Sequence, residues 1–553
     1  MHRRHITTAI VSAGVLLVLV EIPLTLRRPL TADCYIFDLE WRTFTRGGML
    51  YRDIFQTNPP GTLWIHSAVR SLLGTSSEAL RVVDLGLMGF VIGVLAVWTQ
   101  RLGRSRLVAG IVALLLIWFY GAQSIWCQCQ RDGWMLSFAL MALEVRWRRG
   151  AAASGSIWRW RALCFLEGWL WGCAVWIKPF VMVPGMTVWL ADSRSRSAPV
   201  SGGAALPGLL AGGLVVGGLG VIWMIQNGVW PHFWEVNTAW NSDYFASRRV
   251  SGGVLLALAI QFGPWLLLHI LAIAVIWLWW RERANQSVEI RRSQSLLAAL
   301  YLGWTAQAFL LQHGHAYVHV PPVMVAAAIV AGAPQLTGAR LWWPVFAAWM
   351  LGVLALSPLA RFEHAGAWWR CVAGPVTPEL RDVLRGPLDR IYPGAPDLSQ
   401  LESVAEFLRS RGVRDGEVTC YSYSTMKLYW DLDLEPPCRF ICPRIYANRF
   451  FVSRREDIAA LLEQSPQRYV VSDLALDGFS EAEANEVGPG GPRAPPPAYD
   501  IEGLDGTYPW SHRVVYRAGR YLVHKVDGTL GAFTSRRPRS NDRGGSGNAP
   551  DAG

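Results

Sequence analysis

The sequence predicts a polytopic α-helical membrane protein, with about 11 transmembrane helices and a small C-terminal α/β domain outside the membrane. Three observations lead there. Only 17% of the 553 residues are charged, where a soluble chain carries about a quarter. Apolar runs near the length of a bilayer span recur along the first two-thirds of the chain. The arginines behind the net charge of +11 gather in short loops between those runs, a topology pattern rather than a nucleic-acid footprint. No nucleic-acid partner is expected. There is no P-loop lysine motif and no GxGxxG after a strand, which argues against a nucleotide-driven pump.

The candidate spans fall at 8–26, 78–99, 106–121, 132–146, 162–177, 179–191, 204–226, 252–280, 294–312, 319–333 and 341–359. The first reads as an uncleaved anchor, because no small-x-small cleavage site follows it. With the amino terminus inside, the loops "QRLGRSR", "RWRRGAAASGSIWRWR", "DSRSRS" and "RERANQSVEIRR" and the segment around Arg340 all fall inside, as the positive-inside rule requires. Shifting the count by one span breaks that agreement. The spans on either side of Lys178-Pro179 are short, and the proline marks a turn between them. Residues 62–75 are apolar but too short to span, and read as an interfacial helix.

Beyond about 360 the composition changes. "LESVAEFLRSRGV" and "REDIAALLEQ" have helical periodicity, while "EVTCYSY" and "RYVVSDLAL" read as strands. "HRVVYRAGRYLVHKV" reads as a hairpin about Ala518-Gly519. The division is therefore a transmembrane domain at 1–360 with a first outer loop at 28–75, a linker at 361–394, an outer α/β domain at 395–527, and a disordered polar tail at 528–553. The "GPGGPRAPPPAYD" insert reads as a loop. Nine cysteines without a paired CxxC pattern read as free thiols.

This topology puts the first loop, "GAQSIWCQCQRDG", the Lys178 turn, "NGVWPHFWEVNTAWNSDYFASRRV" and "QHGHAYVHVPP" on one outer face. Ionisable groups at span ends are costly unless they pair or face a wet cavity, so they are functional candidates. Carboxylates among several cations suit acid/base chemistry beside a phosphate. Each candidate also has a plainer reading. Arg52-Asp53 would be a neighbouring charge pair in a turn. Lys178 would extend its ammonium to the interface. The spacing of His313, His315 and His319 is weakly specific for a metal.

Asp33-x-Tyr35 followed by "GGMLYRDIFQTNPPG" resembles the first outer loop of bacterial GT-C-fold glycosyltransferases. These are the relatives of glycosyltransferase family 39, the protein O-mannosyltransferases, and of the aminoarabinose transferase that modifies lipid A. "SEALRVVDL", "GWLWGCAVWIKPF" and "HAYVHVPP" add to the resemblance by their order, over roughly residues 8–360. The resemblance implies a GT-C-like fold. It implies transfer of a hexosyl or pentosyl group from a polyprenyl-phosphate donor to a protein, lipid or glycan acceptor, with inversion, at the outer face of a bacterial inner membrane. Membrane lipid would be a further partner. Asp33 would be the catalytic base. Asp53 would assist or help hold a divalent cation, with no other cofactor implied and no metal ligands assigned. Lys178 would neutralise the leaving phosphate, with Arg52 and His319 as further candidates. Cys34 stands where a second acidic residue is often found. "HAYVHVPP" lacks a cation before its aromatic, so Arg131 or Arg248 would complete the phosphate clamp.

A transporter or lipid flippase is the alternative. It would be expected to carry midplane charges and an internal repeat, and neither is evident here. A membrane-anchored binding protein would leave the first loop without a task.

Overall fold

The computed structural model describes residues 2–152, 156–193, 202–247, 252–333, 348–353, 355, 365–386, 389, 395–476, 508–510 and 512–526. Each apolar run expected to span folds as helix wherever it lies among the described residues.

 α1 (His2–Arg27) is followed by α4 (Ser77–Arg101), α5 (Arg106–Gly121), α6 (Arg131–Ala152), α7 (Ile157–Ile177), α8 (Met182–Ser193) and α9 (Gly202–Gln226). α12 (Gly252–Phe262) and α13 (Leu267–Arg281) share one run, broken at Gly263-Pro264, and α14 (Val288–Leu310) and α15 (Val320–Ala331) complete the series. The run at 341–359 lies mostly outside the described residues, as do the loop around Arg340, most of "DSRSRS", the proline-rich insert and the tail.

Among the described residues, three helices are long and apolar enough to cross a bilayer by themselves: Ser77–Arg101, Ala204–Gln226 and Leu258–Arg281. The pair Arg106–Gly121 and Ile125–Gly150 meets the same test together, across a bend of 119°. α6, α7 and α14 are less apolar because they carry a buried ion network. Arg146 and Arg149 bind Glu167, Arg149 binds Asp192 at 2.7 Å, and Arg292 reaches Asp192 at 3.4 Å. Pairing is what makes such charges tolerable between helices.

α7 and α9 approach backbone to backbone. A Cβ at Gly168 would meet the Leu209 carbonyl oxygen at 2.0 Å, and one at Gly212 would meet that of Phe165 at 2.0 Å. Small residues four apart make such a crossing possible.

The first outer segment, read as a loop with a helix at 62–75, holds two helices: α2 (Ala32–Thr45), which was not expected, and α3 (Gly61–Leu73), which was. Asp38, His66 and Arg70 are buried together and pair with one another. The Asp38 carboxylate accepts from Arg70 Nε at 2.7 Å and lies 2.9 Å from His66 Nδ1. α10 (Trp230–Glu235) and α11 (Asn241–Ala246) flank a π-helical turn at Val236–Trp240.

Within 361–394, helices occupy Ala365–Ala373 and Pro378–Val383. The chain then builds a four-stranded sheet in the order β1-β2-β4-β3, from β1 (Val418–Cys420), β2 (Tyr469–Asp473), β3 (Arg513–Ala518) and β4 (Tyr521–Lys525). β1 and β2 are parallel, and the other pairs are antiparallel. The β3–β4 hairpin turns at Gly519, whose φ of 54° suits glycine. All nine cysteines are free.

Candidate functional site

Asp33 stands in the first turn of α2, just past the end of α1. It borders a cavity of about 200 Å³. It is lined by Asp33, Phe37, Arg131 and Tyr317, and by Gln56, Thr57 and Asn58 of the "QTNPPG" stretch. Tyr244, Tyr423, Tyr446, Arg449 and Phe450 close it from the other side. The site therefore joins the first outer segment, the start of α6, the turn before α15 and the chain around the C-terminal sheet.

Asp33 is half-buried, and Gln130 Nε2 donates to its Oδ2 at 3.3 Å. Burial raises the Asp33 pKa above the usual aspartate value, while Arg131, Gln130 and Lys178 draw it back down. A carboxylate tuned upward by desolvation is a better proton acceptor at neutral pH. Arg131 is 7% exposed. Its guanidinium lies 5.1 Å from the Phe37 ring centre, and its Nε and Nη1 are buried with no hydrogen-bond acceptor. Unfilled N–H groups on a buried guanidinium are costly unless an oxyanion fills them.

Lys178 is placed differently. The "PPG" turn explains its position, because a Cβ at Gly61 would meet the Trp176 carbonyl oxygen at 2.3 Å. α3 thus rests directly on the end of α7, where Lys178 caps the helix. Its ammonium donates to both Asp132 oxygens, at 2.9 and 3.2 Å, and lies 5.6 Å from the Tyr317 ring centre. It sits behind Tyr317 rather than on the cavity lining. Even so, its field reaches Asp33.

The other candidates lie elsewhere. Arg52 and Asp53 pair with each other at 2.7 and 2.8 Å, at the surface. The second Asp53 oxygen also accepts from the Met49 amide at 2.7 Å. The pair does not line the cavity. His319 packs against Phe309 and Phe262, with ring centres 4.7 and 6.4 Å apart, and is also absent from the lining. Arg248 lies outside the described residues. Among the described residues, no group of three or more His, Cys, Asp or Glu side chains is placed to hold a metal ion. With Asp53 already engaged by Arg52 and Met49, the residues do not form a cation site there.

Gln130, Tyr244, Tyr423 and Arg449 enter the site without having been singled out as site residues from the sequence. Gln130 precedes Arg131 and had adjacency as its only signal. Arg449 lies far along the chain, in a π-helical turn at Tyr446–Phe450, and no local motif marks it.

No family model and no curated protein matches the chain. Solved structures do. The crystal structure of ArnT from Cupriavidus metallidurans in the apo state is similar over 95% of this chain and 98% of that one, with a TM-score of 0.52 and 14% identity. The structure of ArnT from the same organism bound to undecaprenyl phosphate is similar over 95% and 99%, with a TM-score of 0.55 and 14% identity. The chain has the GT-C fold of these glycosyltransferases, and at this identity the likeness establishes the fold alone.

Proposed function

We propose that this protein is a membrane glycosyltransferase that moves a sugar from a polyprenyl-phosphate donor to an acceptor hydroxyl on the extracytoplasmic face. In this reading the chain crosses the bacterial inner membrane eleven times, and the region around the sheet lies outside. The observation that carries the reading is the shared cavity of Asp33 and Arg131. One offers a desolvated carboxylate, and the other offers buried, unfilled N–H groups. The undecaprenyl phosphate held by the ArnT structure of the same fold supports a lipid-phosphate donor.

The chemistry follows from those two groups. The acceptor oxygen attacks the anomeric carbon as Asp33 takes its proton. The bond from that carbon to the phosphate oxygen breaks, and its electron pair leaves with the phosphate. The phosphate passes from a singly charged diester to a doubly charged monoester. Attack opposite the leaving group inverts the anomeric centre. Arg131 donates to the phosphate oxygens where charge grows, which is where preorganised donors accelerate a reaction most. The energy comes from the sugar-phosphate bond, so no nucleotide motif is needed.

The test is transfer from a labelled polyprenyl-phosphate sugar in membranes carrying the protein. Asp33→Asn is expected to lower turnover by at least about a hundredfold with donor binding kept. Normal turnover in that variant would remove Asp33 from the base role. Mass spectrometry of lipid-linked sugars and outer glycans in a strain lacking the protein would identify the sugar and the acceptor.

A further inference from the structure

We infer that Arg449, supplied by the chain near the C-terminal sheet, is a third cation of the donor site and binds the lipid phosphate as its second negative charge develops. The inference rests on the polyprenyl-phosphate reading and deepens it.

Three observations converge. First, Arg449 borders the same cavity as Asp33 and Arg131. Second, it makes no ion pair among the described residues. Its guanidinium lies 5.7 Å from the Phe450 ring centre, and its charge acts on the lining residues Tyr244, Tyr423 and His315. Arg131 acts on Tyr244 and His315 as well, and Lys178 acts on His315 from behind the lining, so all three cations bear on one residue of the cavity. Third, Arg449 is itself exposed, but the turn that carries it is packed through its neighbours. Its neighbour Phe450 packs on Tyr244 with ring centres 5.1 Å apart, and Phe451 packs on Trp240 at 5.3 Å. Both partners belong to the chain between α10 and the end of α11, whose own π-helical turn faces the one carrying Arg449. Such turns recur at functional sites.

Charge counting gives Arg449 its role. The site holds Arg131, Lys178 and Arg449 against Asp33 and Asp132. His315 is half-buried, and desolvation and then the cations around it lower its pKa well below the usual histidine value, which keeps it neutral. One positive charge remains, which matches a phosphodiester donor. When Asp33 takes the acceptor proton, the site gains a second positive charge as the phosphate gains a second negative one. The site and its contents therefore stay balanced from donor to product. Without Arg449 the balance fails by one charge at both ends.

Two ligands separate the two phosphate states: a polyprenyl phosphate, which is a dianion near pH 8, and its methyl ester, a monoanion. Binding of each is measured to the full-length protein in nanodiscs. The parent is expected to favour the dianion by about tenfold, the scale of one charge-assisted hydrogen bond. Arg449→Gln should remove most of that preference while still binding the ester, and Arg449→Lys should restore part of it. A parent that binds neither ligand would sink the donor reading itself. A parent that binds both, with Arg449→Gln keeping the same preference, would overturn only the inference. Equal weakening of both ligands in Arg449→Gln would also overturn it, because that is what a merely structural role predicts.

Discussion

Arg131 and Lys178 carry the same charge in the same corner of the molecule, yet their partners give them different work. Lys178 is paired with Asp132, at 2.9 and 3.2 Å, whereas Arg131 keeps two buried N–H groups unfilled. Arg131→Gln is therefore expected to weaken polyprenyl-phosphate binding more than Lys178→Gln, by about tenfold or more for a lost charge-assisted contact. Titration calorimetry on both variants checks the order. Glu40 offers a prediction in pH. It is 2% exposed, and among the described residues its one hydrogen-bond partner is Gln56 Nε2, while Gln56 also lines the cavity. Burial pushes its pKa up from the ordinary 4.5 to about 8. The folded state thus holds a proton there that the unfolded state releases. The resulting stabilisation is complete below 4.5 and is lost as pH rises through about 8. Glu40→Gln, neutral throughout, should gain a few degrees in melting temperature over the parent near pH 8 and little near pH 5. A gain independent of pH would refute the assignment. At this scale the sequence was half legible. Asp33, Arg131 and Lys178 stand at the ends of apolar runs, where ionisable groups are conspicuous. Arg449 and Tyr423 stand in a mixed polar stretch, where nothing local distinguishes them.

At the scale of elements, α2 shows why one helix read as a loop. Its arginine and acids interrupt any apolar run, and the partners that allow the burial of Arg42 lie nearly four hundred residues away. Arg42 is 5% exposed. It donates to the Tyr429 carbonyl at 2.8 Å and to that of Leu434, and lies 3.4 Å from Asp433 and 3.5 Å from Glu435. Thr43 donates to Glu435 at 2.8 Å. On the far side of the cavity, Arg439 pairs with Glu235 at 3.0 Å. These two latches join the chain around the sheet to the segments that frame Asp33. Arg42→Ala should cost on the order of 2–3 kcal/mol, because it leaves buried carbonyls unfilled. Thermal unfolding measures that loss, and transfer activity should fall with it although Arg42 does not line the cavity. Gly61→Ala tests another junction. No side chain fits between α3 and the Trp176 carbonyl, so α3 must lift and Lys178 must move with the end of α7. The "PPG" motif was visible in the sequence, but its purpose as a close approach needed the partner helix.

At the scale of the whole molecule, the cavity and the arginine-rich network lie at opposite ends of the same helices. α6 begins at Arg131 on the cavity lining and reaches Arg149 in the network, about 27 Å later at 1.5 Å per residue. That distance is close to the hydrocarbon thickness of a bilayer, about 30 Å. α14 begins beside the network, where Arg292 meets Asp192, and α8 ends there at Ser193. The loop between α13 and α14 therefore belongs to the network end. The chain around the sheet closes the cavity and belongs to the other end. In the topology proposed above, the positive-inside rule would put the network in the cytoplasm and the sheet outside. Single cysteines at exposed positions test this, because seven of the nine native thiols are buried and the other two partly so. Arg411→Cys, just past the helix Leu398–Ser410, should react with a membrane-impermeant maleimide in intact spheroplasts. Arg283→Cys, between α13 and α14, should react only after the membrane is opened. The reverse pattern would put Asp33 and Arg131 on the cytoplasmic side, where a donor displayed outside is out of reach. Labelling of both in intact spheroplasts would mean that the two ends are not separated by a bilayer at all, and the span of α6 would need another explanation.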